Sequence, residues 1–249
     1  TCNKDAEKVI STGILNTNNE DEQMLALAAL YGDTDVDHEF FKLYPTCAIG
    51  EFQRKQTKVT TPSPDNKLVQ NKIKSEKREI KVLNLFAYTG GATVACLSAG
   101  ASVCHVDSSK GMVTWAKENI ASSGLAERPV RYIIDDVVKF VNREIRRGNK
   151  YDAIIMDPPS YGRGPKGEIW KIEEAIHPLV KLCAQLLSDE PLFFLINSYT
   201  TGLQPAVLTY MLSTELKSFG GHCDSQEVGL PVSSNGLVLP CGASGRWMK

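Results

Sequence analysis

The chain has 249 residues, 42% of them hydrophobic and 23% charged, with a formal net charge of -1 at neutral pH. That length accommodates one large domain, or one domain with an appendage, and the composition is that of an ordinary globular protein. The charge excludes a global nucleic-acid signature, no apolar run approaches the roughly 20 residues of a membrane span, and the N-terminus lacks the sections of a signal peptide.

Seven scattered cysteines contain no C-x-x-C pair, and the four histidines have no ligand spacing, so neither a metal site nor a disulfide framework is expected. Cys96 and Cys104, in apolar segments, read as small core residues. The expected compartment is a reducing cytoplasm. The chain begins with Thr rather than Met, which reads as a fragment or a processed product.

In chain order, residues 1–80 form a divergent polar region and linker, and residues 81–249 form the main domain. Within the first part, Gln23–Leu30 reads as a short helix, Phe40–Tyr44 as a strand and Thr57–Asn66 as a proline-containing loop. The basic stretch Lys67, Lys72, Lys74, Lys77, Arg78 and Lys81 reads as a solvated helix face in preference to a nucleic-acid patch.

From residue 80 onward strands and helices alternate. Strands are expected at Val82–Phe86, Ala101–Val106, Val130–Ile134, Tyr151–Met156 and Leu192–Asn197, with two terminal strands at Cys223–Gly229 and Gly236–Cys241. Helices are expected at Ala92–Ala99, Gly111–Ser122 (closed by Gly124), Val137–Arg147, Ile172–Leu187 and Pro205–Phe219. Right-handed crossovers of this length imply an α/β fold with a mostly parallel sheet covered on both faces.

Candidate site residues fall at the carboxyl ends of these strands, where ligands of an open α/β sheet gather. The run Phe86-Ala87-Tyr88-Thr89-Gly90-Gly91 follows the first strand, and Asp107-Ser108 follows the second. Glycine lets backbone approach a ligand closely, and a carboxylate there accepts hydrogen bonds from ribose hydroxyls. The spacing matches neither the dinucleotide fingerprint G-x-G-x-x-G nor a P-loop, which favours a nucleoside without pyrophosphate such as S-adenosylmethionine. A purely structural turn accounts for the glycines equally well.

After the third strand stand Asp135-Asp136, with Asp136 assigned to an adenine amine and Asp135 to structure, such as a helix cap. After the fourth comes Asp157-Pro158-Pro159-Ser160-Tyr161. Paired prolines hold a stiff turn, so the carboxylate and proline carbonyls are expected to point into the crevice as acceptors, with Tyr161 stacking on a base. After the fifth, the hydroxyls of Asn197-Ser198-Tyr199-Thr200-Thr201-Gly202 either contact substrate or cap the helix near Pro205.

Leu83–Gly91, Val106-Asp-Ser-Ser with Trp115-Ala-Lys-Glu-Asn119, Asp135-Asp-Val and Asp157-Pro-Pro-Ser-Tyr together resemble the class I S-adenosylmethionine-dependent methyltransferases. The likeness is greatest to the bacterial large-subunit ribosomal RNA methyltransferase group, and runs from about Lys81 to Trp247. It implies a Rossmann-like fold with a seven-stranded sheet and S-adenosyl-L-methionine as cofactor. The implied cofactor set is Phe86, Ala87, Tyr88, Thr89, Gly90, Asp107, Ser108, Asp135, Asp136 and Asp157. Asp157, Pro158, Pro159 and Tyr161 form the implied methyl-transfer site, and RNA, ribosomal RNA above all, is the implied partner. Alternatives are a small-molecule or protein acceptor, or a non-catalytic domain that binds cofactor or RNA.

Three departures from the group matter. Members that make 5-methylcytosine carry a cysteine after the fifth strand, whereas Ser198-Tyr-Thr-Thr has none, leaving only Cys241 to take that role; direct transfer to a nitrogen, with guanine favoured, is the better fit. The group's Gly-Leu-Phe-Pro-Glu-Gln-like loop before the first strand is replaced by Thr60–Asn66, and residues 1–60 show no RNA-binding module.

Overall fold

The computed structural model describes residues 64–163, 169–200, 202–231 and 237–249. The helix expected at Gln23–Leu30, the strand expected at Phe40–Tyr44 and the Thr57–Asn66 loop as far as residue 63 lie outside the described residues. From residue 64 that loop is instead the start of a helix, α1 (Pro64–Ser75), opened by a proline whose fixed φ suits a first turn. There follow β1 (Lys81–Leu85), α2 (Gly91–Ser98), β2 (Ser102–Asp107), α3 (Lys110–Ser122), β3 (Val130–Ile134), α4 (Val137–Arg147) and β4 (Ala153–Met156). The chain continues through β5 (Tyr161–Arg163), β6 (Ile169–Lys171), α5 (Ile172–Ala184), β7 (Phe193–Ser198), α6 (Pro205–Glu215), a 3-10 turn (Lys217–Phe219), β8 (His222–Pro231) and β9 (Val238–Met248).

Seven strands form one sheet in the order β3-β2-β1-β4-β7-β9-β8. The pairs among β3, β2, β1, β4 and β7 are parallel, whereas β9 runs antiparallel to both β7 and β8. This is the mostly parallel Rossmann-like sheet expected. Side-chain alternation feeds two cores. Leu83, Leu85, Ile154, Met156, Phe194 and Ile196 pack with α4, α5 and α6. Val82, Ala153, Ile155, Phe193 and Leu195 pack with α1, α2 and α3. Burial on both faces explains why these strands read as continuous apolar runs. Val69 and Ile73 bring α1 into the second core; of the basic stretch Lys67, Lys72 and Lys74 lie on this helix, whereas Lys77 and Arg78 follow it, Arg78 pairing with Asp152, and Lys81 opens β1.

The differences from the expected elements have local causes. Phe86 leaves β1 because its φ is 52°. Tyr151 makes only an isolated bridge to Leu187 before β4 begins. The final strand runs on to Met248 through the glycine-rich Gly242-Ala-Ser-Gly245, against the usual strand preference. Packing requires the glycines: a Cβ on Gly245 would lie 2.5 Å from Leu208 Cβ, and one on Gly242 would lie 2.2 Å from the Ser198 carbonyl oxygen. The antiparallel pair β5–β6 was not apparent from sequence periodicity.

The strand order reverses between β1 and β4. Crossovers leave β1 toward β2 on one side and β4 toward β7 on the other, so a crevice opens at their carboxyl ends.

Candidate active site

The loop after β1 forms one wall of the crevice. Phe86 (φ 52°), Tyr88 (φ 48°) and Gly90 (φ 87°) alternate in the left-handed region. Such geometry costs about 1–3 kcal/mol per non-glycine residue and persists only where surrounding contacts hold it. Here they do: Ala87 N–H donates to the Val106 carbonyl (3.0 Å), and Asn119 Nδ2 donates to the Thr89 carbonyl (2.9 Å). Gly90 packs so closely on α3 that a Cβ would stand 3.1 Å from Ala116 Cβ. Ala87, Thr89 and Gly90 are buried, while Phe86 and Tyr88 are half-buried.

Asp107, at the tip of β2, braces this loop from the side. Its Oδ2 accepts from Tyr88 N–H (2.9 Å) and its Oδ1 from Ser109 N–H (2.8 Å). A carboxylate has about four lone-pair sites, so two bonds leave capacity for further donors such as ribose hydroxyls. Ser108 is exposed beside it. Beneath the loop, Asn84 Nδ2 donates to Thr93 Oγ1 (2.9 Å), which lies 3.0 Å from His105 Nδ1. Burial holds the His105 imidazolium down to a pKa of about 4, so the ring is neutral at physiological pH. This trio lies below the crevice and braces the loop.

At the end of β3 the expected division between the two acids changes. Asp136 is the cap of α4, its Oδ1 accepting from Lys139 N–H (2.8 Å). Asp135 instead accepts from Asp136 N–H (2.8 Å) and pairs with Arg143. The cap therefore belongs to Asp136, because α4 begins directly after it. Its other oxygen, Oδ2, takes no bond from a described residue, so capping and a contact to an adenine amine are compatible. Ile134, 51% exposed, adds an apolar surface at the same edge.

The opposite wall follows β4. Asp157 is exposed to solvent, and desolvation by the surrounding protein pushes its carboxyl up to about 7. No described residue donates to it. Pro158 is buried and Pro159 exposed. The Pro159 carbonyl was expected to face the crevice; instead it accepts from Trp170 Nε1 (2.6 Å), and the Trp170 ring lies 5.3 Å from that of Phe86. Ser160 Oγ lies 2.7 Å from Thr200 Oγ1, joining this loop to the one after β7. Tyr161, half exposed, opens β5 opposite Lys171.

Among the described residues the loop after β7 provides no cap for α6: the cap residue Gln204 makes no side-chain cap bond, and the Thr200 hydroxyl is engaged with Ser160. Cys241 is buried on β9, its Sγ donating to the Leu239 carbonyl (3.3 Å). Trp170, the Asn84–Thr93–His105 trio and the Ser160–Thr200 link were missed at the sequence level. They join distant segments, and neither spacing nor composition marks them.

Thus, along β3, β2, β1 and β4, the acids Asp135 and Asp136, Asp107, the Phe86–Gly90 loop and Asp157 follow one another on one sheet edge. Among the described residues no group of His, Cys, Asp or Glu is arranged to hold a metal ion, and no helix is long and apolar enough to cross a membrane.

Comparison with known proteins places the chain in a family. The family model of S-adenosylmethionine-dependent methyltransferases matches residues 52–208. The chain is similar to ribosomal RNA large subunit methyltransferase I of Klebsiella pneumoniae, at 36% identity over 39% of this chain and 24% of the relative. It is also similar to ribosomal RNA large subunit methyltransferase K of Neisseria meningitidis, at 28% identity over 54% of this chain and 38% of the relative. It therefore spans well under half the length of these two relatives. Among solved structures, a SAM-dependent methyltransferase from Agrobacterium tumefaciens superposes with a TM-score of 0.69 at 35% identity, covering 74% of this chain and 60% of that one. A methyltransferase complexed with SAH shares the fold, with a TM-score of 0.56 at 22% identity over 74% of this chain and 49% of that one.

Proposed function

Because the chain belongs to the S-adenosylmethionine-dependent methyltransferase family, we propose that it methylates a base nitrogen in RNA, with guanine in large-subunit ribosomal RNA as the favoured acceptor. The observation that carries this reading is Asp157: a carboxyl without a partner among the described residues, pushed up to about 7, at the end of β4 beside the strand-order reversal. A base whose pKa lies near the working pH takes a proton efficiently while a substantial fraction of it is ionised.

The chain's own residues divide the work. The Phe86–Gly90 loop provides close-approaching backbone for the methionine part of the cofactor. Asp107 is oriented by the Tyr88 and Ser109 amides to receive ribose hydroxyls, and Asp136 Oδ2 receives the adenine amine. Bound S-adenosylmethionine supplies an electrophilic methyl on sulfur. Asp157 orients the acceptor N–H and takes its proton as the new N–C bond forms and the S–C bond breaks, while exposed Tyr161 stacks on the base. Cysteine attack on a pyrimidine has no support from the loop after β7, where Ser198, Tyr199 and Thr200 are not cysteine. The names of the Klebsiella and Neisseria relatives support ribosomal RNA as the acceptor class.

The test is transfer of label from methyl-tritiated S-adenosylmethionine to purified large-subunit ribosomal RNA. Label in the RNA supports the reading. Label found only in added protein or small-molecule fractions assigns the other acceptor class, and cofactor binding without turnover on any acceptor assigns a non-catalytic domain.

A further inference from the structure

One row of the sheet next to Asp157 is built differently from its surroundings. The parallel ladder between β4 and β7 ends with Met156 opposite Ile196, so Asp157 and Asn197 stand side by side one position later. The antiparallel ladder between β7 and β9 then places Ser244 opposite Asn197. Ile155 and Leu195, two residues before Asp157 and Asn197, pack into the core with α1, α2 and α3. Alternation therefore turns Asn197 and Ser244 to that same side of the sheet, and Asp157 follows directly on the end of β4 beside them.

All three hold polar atoms without a hydrogen bond. Asn197 Oδ1 and Ser244 Oγ are buried and unpaired, Asn197 Nδ2 makes no bond to a described residue, and no described residue donates to the Asp157 carboxylate. Neighbouring polar residues differ. Ser198, on the opposite face, accepts from Thr200 N–H, and Asn84, two strands away, spends its amide on Thr93. A buried polar group left unpaired costs about 1–3 kcal/mol, so an asparagine kept beside Leu195, where an apolar residue fits the strand, calls for a partner.

We propose that Asn197 is a binding residue for the methyl acceptor, holding the edge of a planar base with its amide while Asp157 receives the proton, and that Ser244 backs that amide. The inference rests on the reading of Asp157 as the acceptor's proton receiver. A planar amide offers an acceptor and donors side by side, which matches a base edge where an N–H adjoins a carbonyl or ring nitrogen. Asn197 thereby sets which base edge enters, and Asp157 acts on the nitrogen so placed.

The experiment measures methyl transfer to large-subunit ribosomal RNA by the whole chain and its Asn197→Ala, Asn197→Asp and Ser244→Ala variants, with cofactor affinity by calorimetry and thermal stability alongside. Asn197→Ala is expected to raise the KM for RNA about ten- to hundredfold, the equivalent of one or two lost hydrogen bonds. Cofactor affinity is expected to stay within about twofold and melting temperature not to fall, because an unpaired buried polar group is removed. Asn197→Asp, which loses both donors, is expected not to rescue. Ser244→Ala is expected to raise the KM less, again without loss of stability. An unchanged KM in Asn197→Ala, while the wild-type chain labels RNA, overturns this inference alone. Weakened cofactor binding with lowered stability would make Asn197 a structural residue and also overturn it. A wild-type chain that labels no RNA overturns the underlying reading together with it.

Discussion

Trp170 joins the two walls of the crevice: its Nε1 donates to the Pro159 carbonyl at 2.6 Å, and its ring lies 5.3 Å from that of Phe86. One side chain thereby couples the loop after β1, which walls the crevice, to the turn that carries Asp157. Trp170→Phe keeps an aromatic surface and loses the donor, worth about 0.5–1.5 kcal/mol. Trp170→Ala loses the ring contact as well, about 0.5–1.5 kcal/mol beyond the buried area. Melting temperature should fall in the order wild type, Phe, Ala, and isothermal calorimetry should show cofactor affinity falling in the same order. Equal affinities across the series would show that the indole supports the β5–β6 pair alone.

The raised pKa of Asp157 gives a pH profile with a definite sign. The working form is the ionised one, so turnover should climb as pH rises through about 7 and level off above it. Asp157→Asn should remove this inflection and nearly all turnover, with cofactor affinity little changed. Stability runs the other way. A carboxyl with a folded pKa above its unfolded value of about 3.9 stabilises below that value and loses its contribution as pH rises to about 7. Asp157→Asn should therefore raise the melting temperature more at pH 8 than at pH 5. Thermal scans at the two pH values check the sign.

Asp107 carries two duties that substitution can separate. Asp107→Ala should weaken cofactor binding by about 1.5–3 kcal/mol, one to two decades, through lost charge-assisted hydrogen bonds. It also frees the Tyr88 amide and so loosens a loop with two left-handed non-glycine residues. Asp107→Asn retains an acceptor oxygen, and should recover loop stability better than it recovers affinity. Calorimetry and thermal melting on both variants decide this.

Glu144 provides a control remote from the chemistry. It is fully buried and accepts from the Tyr151 hydroxyl (2.7 Å), Asn149 Nδ2 (2.8 Å), and Arg147 and Arg131. Burial opposes its ionisation, yet these hydrogen bonds and cations prevail and hold its pKa below the ordinary value. Its stabilisation is therefore present above the unfolded carboxyl pKa and lost as pH falls through the folded one. Glu144→Ala should destabilise the fold by about 1–3 kcal/mol, the cost of leaving the buried Tyr151 hydroxyl without its acceptor, since Arg131 and Arg147 are half exposed and return to solvent. Enzyme that remains folded should keep its cofactor affinity.

Much of this was legible in the sequence for a specific reason. Strands of a parallel sheet covered on both faces are apolar throughout, so β1, β2, β4 and β7 stand out, and ligand-binding acids must then follow them. Asp107 and Asp157 stand at the ends of β2 and β4, as their positions in the sequence suggested. Long-range pairing was not legible. The glycine-rich end of β9 is a strand because Leu208 and the Ser198 carbonyl leave no room for a Cβ at Gly245 and Gly242. Trp170, Asn197 and Ser244 acquire meaning only from partners on other strands. That Asp136 rather than Asp135 caps α4 turned on where α4 begins, a one-residue distinction that carboxylate chemistry does not encode.

The atom that receives the methyl group decides between nitrogen transfer and cysteine attack. Ribosomal RNA labelled by the chain, digested to nucleosides and separated by chromatography against methylated standards, identifies that atom. The label should elute with an N-methylated guanosine and disappear in Asp157→Asn. Label eluting as 5-methylcytidine, or persisting at the wild-type level in Asp157→Asn, would contradict nitrogen transfer with Asp157 as the base.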